Sequence, residues 1–323
     1  MTARDILSRL PSLRALVVGD VCLDRWCTYS PELSEASRET GIPRVAVVRT
    51  EVTPGAAGTV VSNLAGLGVG SVSLLGLVGD DGFGYELKQA LAQRSISSEL
   101  LLTHPGYPTF TYTKLINEQT GLEDLPRVDF VSTGPVPTAI EQLVLKHLRN
   151  CAGRFDVTFI CDQAETAIGG LITPAIRREV ELLSARQFFF VDSRAHLEGF
   201  RGVLLKPNQE EAESVCLRLF GDRRAFGRLR ELTQAPMLLV THGGDGVMVV
   251  RPDGEQWVPT VKVLNPVDIC GAGDSFAAGA AMALVAGGAG ATAEEAIAFG
   301  HRVASITVMK KGTGTATPDE VLA

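Results

Sequence analysis

Hydrophobic positions along the chain alternate between short continuous runs and longer stretches with helical spacing. The first run, Ala15 to Gly19, has no polar side chain and is typical of a strand buried on both faces of a sheet. Similar runs follow at 72–78, 157–161, 188–191, 203–205 and 237–240, with helical stretches between them at 58–67, 85–94, 139–149, 174–184 and 210–220. This alternation predicts an α/β fold, a three-layer αβα sandwich around a mostly parallel central sheet.

Two segments do not fit this alternation. Residues 44–49 and 109–116 show the pattern of half-exposed strands, and no crossover helix follows either of them. They predict a small accessory β-sheet, drawn from about 25–50 and 106–126, that lies as a lid over the strand ends of a single domain spanning 1–323. Residues 246–263 predict short antiparallel strands with a turn at Pro252-Asp253-Gly254.

The composition is that of an ordinary globular protein, since 45% of its 323 residues are hydrophobic, 21% are charged and the net charge is −7. No basic run or aromatic-rich basic stripe occurs, which disfavours nucleic acid as a partner. The six scattered cysteines form no CxxC pair and indicate a reducing compartment, so we expect a cytoplasmic protein. Residues 275–293 are uncharged but mostly Ala and Gly, which indicates a tightly packed core helix rather than a membrane span.

The stretch from Asp268 to Phe276 carries the strongest chemical signal. A turn, Gly271-Ala272-Gly273, precedes the uncharged helix, and Asp274 stands where that helix begins. Backbone N–H groups in the turn and the positive end of the helix dipole form an anion site. A carboxylate there can take a proton from a hydroxyl while the N–H groups stabilise a phosphoryl group. The alternative is an Asp in the first turn of a helix with no catalytic role.

Two common nucleotide-binding motifs do not match. The chain contains no GxxxxGK[ST] motif, so it is not a P-loop enzyme. A dinucleotide fingerprint beginning at Gly271 would require glycine at position 276, which is Phe276. A dehydrogenase is therefore disfavoured.

Further candidates follow predicted strands. Asn208 and Glu211 have the spacing of a capping box, or they could order water around Mg²⁺ on nucleotide phosphates. The glycines of Thr241-His242-Gly243-Gly244-Asp245-Gly246 would let backbone approach a phosphate or a base, or would simply form a tight turn. Asp24, beyond the end of the first strand, could hold sugar hydroxyls or could be an ordinary loop residue.

The order of these motifs resembles the ribokinase-like (PfkB) family of sugar and nucleoside kinases. The segment Gly271 to Asp274 matches its C-terminal signature, the small-residue turn and helix entry from Gly55 matches its N-terminal signature, and Asn208/Glu211 matches its NxxE motif. Within that family, residues 18–26 and 43–48 are most similar to heptose-7-phosphate 1-kinases. The resemblance implies an enzyme that uses ATP and Mg²⁺, and also a monovalent cation such as K⁺, to phosphorylate a sugar or sugar phosphate.

The resemblance also implies roles for individual residues. Asp274 would be the general base, and Gly271, Ala272 and Gly273 would form the anion hole. The sugar would contact Asp24, Gly55, Thr59 and Asn63, and the nucleotide would contact Asn208, Thr241, Gly243, Gly246 and His301. Glu211 would serve Mg²⁺ through water, and Asp268 with the loop 311–314 resembles a monovalent-cation site.

The chain departs from the family pattern on the sugar side. The family usually has Gly-Gly followed by an Asn that touches the sugar, where this chain has Gly55-Ala56 and Thr59. We expect a phosphorylated or acidic acceptor held by one or more of Arg38, Arg44 and Lys114, and a homodimer formed through the accessory sheet. A nucleoside or another sugar as acceptor, and a catalytically silent binding protein, remain alternatives.

Overall fold

The computed structural model describes residues 1–164, 166 and 168–323. Two sheets organise it. The larger sheet contains β1 (Arg14–Gly19), β4 (Ser71–Gly79), β5 (Leu101–His104), β8 (Val157–Asp162), β9 (Phe189–Ser193), β10 (Leu204–Leu205), β11 (Leu238–Thr241), β12 (Gly246–Arg251) and β13 (Gly254–Pro259). The smaller sheet contains β2 (Val21–Tyr29), β3 (Val47–Ala56), β6 (Thr111–Asn117) and β7 (Val128–Phe130).

The larger sheet has the strand order β13-β12-β11-β10-β9-β8-β1-β4-β5. Every neighbouring pair from β11 to β5 is parallel, and only β12 and β13 are antiparallel to their neighbours. The mostly parallel sheet predicted from the hydrophobic runs is therefore confirmed, as is the antiparallel pair around Pro252-Asp253-Gly254. Because parallel strands all end at one edge, the loops that follow β1, β8, β9 and β11 meet there.

Helices cover both faces of this sheet. The described helices are α1 (Ala3–Arg9), α2 (Ala57–Gly66), α3 (Gly82–Ala92), α4 (Thr138–Cys151), α5 (Pro174–Leu183), α6 (Gln209–Phe220), α7 (Phe226–Thr233), α8 (Ala272–Gly287), α9 (Ala293–Thr307) and α10 (Pro318–Leu322). Adjacent β1 residues face opposite cores: Val17 packs in a core with α1, α2, α8 and α9, and Val18 in a core with α4 to α7. A strand buried on both faces needs a continuous apolar run, which explains the sequence pattern.

The uncharged segment after Asp274 forms α8, which packs in the core against α9. The two helices approach closely because glycines meet: a β-carbon on Gly279 would lie 2.9 Å from Cα of Gly300. A β-carbon on Gly300 would in turn lie 2.8 Å from the carbonyl oxygen of Phe276. In the described part of the chain, no helix is both long and apolar enough to cross a membrane.

The smaller sheet differs in detail from the prediction. It begins at Val21, so Asp24 lies in strand β2 and not in a loop. Pro54-Gly55-Ala56 ends strand β3, and the turn into α2 occurs at Ala56, which has a φ of 53°. The first strand and β2 are separated only by Asp20, which hid the change of sheet from a prediction based on hydrophobic runs.

The strand order of the smaller sheet is β3-β2-β6-β7. Asp24 pairs with Thr53 on one side and with Tyr112 on the other, and Tyr112 pairs with Asp129. Its two edge strands expose apolar side chains, with Val48 50% and Phe130 41% exposed. The sheet therefore turns one set of side chains to the domain and leaves apolar side chains partly exposed on its edge strands.

Candidate active site

Two cavities meet at Asp274. The first, here called the acceptor cavity, lies under the smaller sheet and is lined by Asp20, Cys22, Asp24, Arg25, Trp26, Ala56, Thr59, Phe110, Tyr112, Lys114, Arg127 and Thr313, among others. The second, here called the nucleotide cavity, has a volume of about 660 Å³, within the range of small-ligand pockets. Gln163, Arg194, Gly271 and Asp274 line both cavities. A group transferred between ligands in the two cavities would have to pass these residues.

The start of α8 lies at this junction. Gly271 adopts a φ of 75°, a left-handed conformation that favours glycine, and the helix follows from Ala272. A β-carbon on Gly271 would also crowd the methyl group of Thr59 at 2.9 Å. Ala272 and Gly273 line the nucleotide cavity, so the first N–H groups of the helix lie at that cavity. The geometry is that of an anion site at a helix N-terminus.

Asp274 is the third residue of the helix and has an unusual protonation equilibrium. Loss of hydration, together with the nearby Asp192 carboxylate, raises the pKa of its carboxyl group to about 7. Lys206 and Arg194 oppose this shift because they favour the charged form. A carboxyl group with a pKa near neutrality is suited to accept a proton from a hydroxyl.

Sequence analysis missed Lys206 as a site residue. Its ammonium group pairs with Asp192 at 2.9 Å, and both side chains are largely buried. A β-carbon on Gly273 would lie 3.7 Å from Lys206 Nζ, which places this cation at the start of α8. The Asp192 and Glu211 carboxylates raise the pKa of Lys206 although its burial opposes the charged form. The signal in the sequence was a lysine directly after the buried strand β10.

Asn208 and Glu211 form the capping box that their spacing predicts. Glu211 N–H donates to Asn208 Oδ1 at 2.9 Å and Asn208 N–H donates to Glu211 Oε2 at 2.8 Å, which completes a capping box at α6. Both residues also line the nucleotide cavity. Burial and the Asp192 carboxylate raise the pKa of Glu211 to about 7, so a cation beside it would favour its ionised form.

The loop after β11 contributes Thr241, Gly243 and Gly244 to the nucleotide cavity. Gly246 does not lie in the lining, contrary to the expected nucleotide contact. Glycine at this position leaves room for the Trp257 ring, because a β-carbon on Gly246 would lie 2.6 Å from that ring. Gly246 therefore permits close packing between β12 and β13.

His301 lies on α9 and lines the nucleotide cavity with Ala304, Ser305 and Val308. Its Nε2 atom is 2.6 Å from the carbonyl oxygen of Val261, which can only accept, so Nε2–H is the donor. The ring therefore ties α9 to the segment that follows β13. This contact was not foreseen from the sequence.

On the acceptor side, Asp24 and Thr59 both line the cavity. Burial raises the pKa of Asp24 to about 6, while Lys114, Arg127 and Arg194 lower it. Gly55 acts indirectly, because a β-carbon there would clash with the Asp24 carboxylate and the Cys22 thiol. Ala56 reaches the cavity in a positive-φ conformation that costs a non-glycine residue about 1 kcal/mol or more.

Asn63, expected to contact the sugar, is fully buried away from both cavities. Its amide nitrogen donates to Thr59 O at 3.1 Å, Ser275 Oγ at 3.1 Å and Gly314 O at 3.3 Å. It thereby joins α2 to α8 and to the C-terminal loop. Four residues after Thr59, it lies one helical turn deeper and cannot reach the cavity.

The cations around the acceptor cavity are not all those expected. Arg44 pairs with Glu35 at 3.4 Å in an exposed loop, and neither Arg38 nor Arg44 lines the cavity. Among the described lining residues the cations are Arg25, Lys114, Arg127 and Arg194. Of these, Lys114 was expected from the sequence. Arg127 comes next to it through the pairing of β6 with β7, and Arg194 directly follows β9, which hydrophobic patterning does not indicate.

Asp268 links two loops. Its Oδ1 accepts from Cys270 N–H at 2.9 Å and its Oδ2 from Gly312 N–H at 3.1 Å. These bonds hold the turn before α8 against the loop 311–314. The predicted monovalent-cation site would be formed by these two segments. Each oxygen has a second lone pair that could still coordinate a cation.

Asp20 was not singled out from the sequence. Its carboxylate accepts backbone N–H groups of Gln163 and Ala164 at 2.9 Å each and of Leu171 at 2.7 Å. Burial nevertheless raises the pKa of Asp20 to about 6. These bonds position Gln163, which lines both cavities, at the junction.

Comparison with known proteins is consistent with this geometry. The model of the pfkB family carbohydrate kinases matches residues 202–320. The chain is 31% identical over 323 residues to the bifunctional protein HldE of Rhodopseudomonas palustris, covering 98% of this chain and 64% of that relative. It thus spans less than two thirds of the curated relatives that it matches. The family match therefore lies in the C-terminal part of the chain, whereas the similarity to HldE extends over almost all of it.

Solved structures show the same fold. Ribokinase from Thermotoga maritima superposes with a TM-score of 0.70 at 19% identity, covering 96% of this chain and 98% of that one. Phosphofructokinase-2 from Escherichia coli, in complex with substrates and products, superposes with a TM-score of 0.71 at 17% identity, covering 96% and 97%. At such low identity the likeness shows the ribokinase-like fold.

The raised pKa of Asp274 has a consequence for stability. Because the pKa is about 7 in the folded state and 3.8 for an unperturbed aspartate, the folded state holds more protons between these values. Stability contributed by this group therefore falls as pH rises from about 4 to about 7. We expect Asp274→Asn to raise Tm by about 2 °C or more at pH 8 and by less at pH 5, measured by calorimetry.

The exposed carboxylate Asp80 provides the matched control, and Asp80→Asn should leave Tm unchanged at both pH values. A lower Tm for Asp274→Asn at pH 8 would show that the ionised carboxylate stabilises the fold.

Proposed function

We propose that the protein transfers the γ-phosphoryl group of ATP to a hydroxyl of a sugar or sugar phosphate, with heptose 7-phosphate phosphorylated at C1 as the leading candidate. The observation that carries this proposal is the position of Asp274 and the α8 N-terminus, which line both cavities. The similarity to HldE proteins motivates the choice of heptose, and the cytoplasm, where ATP is found, is the compartment that fits.

The nucleotide cavity would hold ATP with its phosphates toward α8. Its lining places Lys206, Arg194 and the N–H groups from Gly271 to Gly273 at the junction, where negative charge on the transferred group must be stabilised. Thr241, Gly243 and His301 line the same cavity and would contact the nucleotide.

Asp274 would accept the proton of the acceptor hydroxyl as the oxygen attacks phosphorus. The hydroxyl must approach from the acceptor cavity, where Asp24 and Thr59 are placed to hold other hydroxyls of the sugar. Thr59 has one hydroxyl where the family usually has the amide of Asn. That hydroxyl also donates to Pro54 O at 3.4 Å, so Thr59 would make fewer sugar contacts than Asn. The smaller sheet would cover the bound sugar and exclude water, which could otherwise accept the phosphoryl group.

The described residues contain no cluster of three or more His, Cys, Asp or Glu side chains suited to hold a metal. This suits Mg²⁺ that enters with ATP, because Mg²⁺ commonly keeps several waters and few protein ligands. Asn208 and Glu211 would hold it, and Mg²⁺ would favour the ionised form of Glu211, whose pKa burial and the Asp192 carboxylate raise to about 7. Bound Mg²⁺ would neutralise charge on the phosphates. Asp268 and the loop 311–314 would hold a monovalent cation such as K⁺ beside the anion hole.

Turnover with a panel of acceptors tests the proposal. ADP release dependent on Mg²⁺ should require ATP together with a sugar or sugar phosphate, and nicotinamide absorbance should not change. A nucleoside as the preferred acceptor would support another kinase of the family. Ligand binding without any turnover would support a catalytically silent binding protein.

The role of Asp274 as base is testable directly. Asp274→Asn should lower kcat by roughly 10²–10⁴-fold, the usual contribution of general base catalysis, and leave ATP affinity unchanged. Asp274→Glu keeps the carboxyl group but displaces it and should retain more activity than Asp274→Asn. Near-wild-type kcat in Asp274→Asn would eliminate this mechanism.

His301 is expected to contact the adenine base and to take no part in proton transfer. His301→Ala should raise the KM for ATP by about tenfold and lower kcat much less, because it removes binding made equally in the ground and transition states. Tm is measured in parallel. If Tm falls while the KM for ATP is unchanged, the residue serves only to hold Val261.

We also expect a homodimer through the smaller sheet. Exposed Val47, Val48, Val128 and Phe130 lie on its edge strands and would be covered by a second copy. Sedimentation at micromolar concentration should show a dimer that Val48→Glu dissociates. The control is Leu182→Glu, on an exposed apolar residue of α5. A monomer in the wild-type protein would exclude the dimeric lid.

A further inference from the structure

One face of the smaller sheet lines the acceptor cavity with two rows of side chains. The first row contains Asp24 and Tyr112, which pair across β2 and β6. The second contains Trp26 and Lys114, two residues further along the same strands and therefore on the same face. Arg127 directly precedes β7 and extends this second row, because Thr113 pairs with Val128 in antiparallel register.

Lys114 and Arg127 thus bring two positive charges next to each other on adjacent strands. Like charges opposite each other destabilise a sheet unless a counter-charge lies between them. Asp129 supplies part of that charge, since its Oδ2 accepts from Arg127 Nη2 at 2.7 Å and from Nε at 3.1 Å. The guanidinium also lies 5.1 Å from the ring centroid of Tyr112. These contacts hold Arg127 at the wall of the cavity.

The charged groups also have an order along the cavity. Lys206 and Arg194 favour the ionised form of Asp274, whereas Lys114, Arg127 and Arg194 favour that of Asp24. Lys114 and Arg127 lie one row from Asp24 on the smaller sheet, whereas Arg194 lines both cavities. Among the described residues, the lining of the nucleotide cavity includes Lys206 and Arg194 but neither Lys114 nor Arg127.

We propose that Lys114 and Arg127 bind a phosphate that the acceptor already carries, at the end of the sugar remote from the hydroxyl that reacts at Asp274. This inference rests on the proposed kinase function and assigns the acceptor's own anionic group. The acceptor is then a sugar with a terminal phosphate, and phosphorylation takes place at its opposite end. Arg38 and Arg44, which lie outside the cavity lining, take no part.

The physical basis is electrostatic complementarity. A phosphate dianion would add negative charge beside Lys114 and Arg127, and hydrogen bonds to charged groups are stronger than neutral ones. A neutral sugar would add no such charge. The free energy of binding should therefore depend strongly on the phosphate ester.

Calorimetric titration without ATP tests this separately from catalysis. The probes are pairs of a sugar phosphate and its parent sugar: ribose 5-phosphate with ribose, mannose 6-phosphate with mannose, and sedoheptulose 7-phosphate with sedoheptulose. In the wild-type protein at least one ester should bind about tenfold or more tightly than its parent. Lys114→Met and Arg127→Met should each bring that ratio close to one while the KM for ATP and Tm stay unchanged.

Lys114→Arg should retain the preference for the ester because it keeps the charge. The control is Arg49→Met, since Arg49 lies on β3 outside the acceptor cavity, and it should keep the wild-type ratio. Esters that bind no more tightly than their parents, or a wild-type ratio in folded Lys114→Met, would overturn the proposal. The kinase function fails independently, if no acceptor supports ADP formation.

Discussion

The site depends on the close contact between α8 and α9. Because Gly279 and Gly300 have no side chains, α8 packs deep in the core against α9 and cannot shift without opening that contact. Its N-terminus is thereby held where the parallel strands end. The same contact brings His301 to the nucleotide cavity, so both the base and one wall of the nucleotide site follow from a single packing arrangement.

The buried position of Asp274 at the start of α8 has an electrostatic cost. Asp274, Asp192, Asp24 and Glu211 lie near one another, and each of Asp274, Asp24 and Glu211 has a raised pKa, chiefly because it has lost hydration. Lys206 and Arg194 compensate only in part. Clusters of this kind are more common at functional sites than in structural cores, because a protein selected only for stability would replace them. A cation bound together with the nucleotide phosphates would complete the balance of charge.

The smaller sheet makes the acceptor side different from the nucleotide side. Loops that follow strands of the larger sheet contribute to the nucleotide cavity, whereas paired strands of the smaller sheet form one wall of the acceptor cavity. Strands β2 and β6 are far apart in the chain, and each contributes its own side chains to the cavity wall. A substitution in one strand can therefore change the contacts that the acceptor makes. Acceptor preference can therefore vary while the phosphoryl-transfer groups at α8 stay in place.

The sequence by itself determined the α/β class, the parallel sheet and the groups at the start of α8. These follow from local signals, namely apolar runs, helical spacing and a glycine turn before an uncharged helix. It also placed Asn208 and Glu211 at a helix start, where the capping box is present.

Only the tertiary structure decided which polar groups face the cavities. Asn63 and Gly246 belong to matching motifs but pack against neighbouring elements, whereas Lys206, Arg127 and Asp20 reach the site through strand pairing and loop contacts. Motif spacing fixes where a residue lies along its own strand or helix. Which side chain meets a ligand depends on contacts between elements distant in sequence, and no local pattern encodes them.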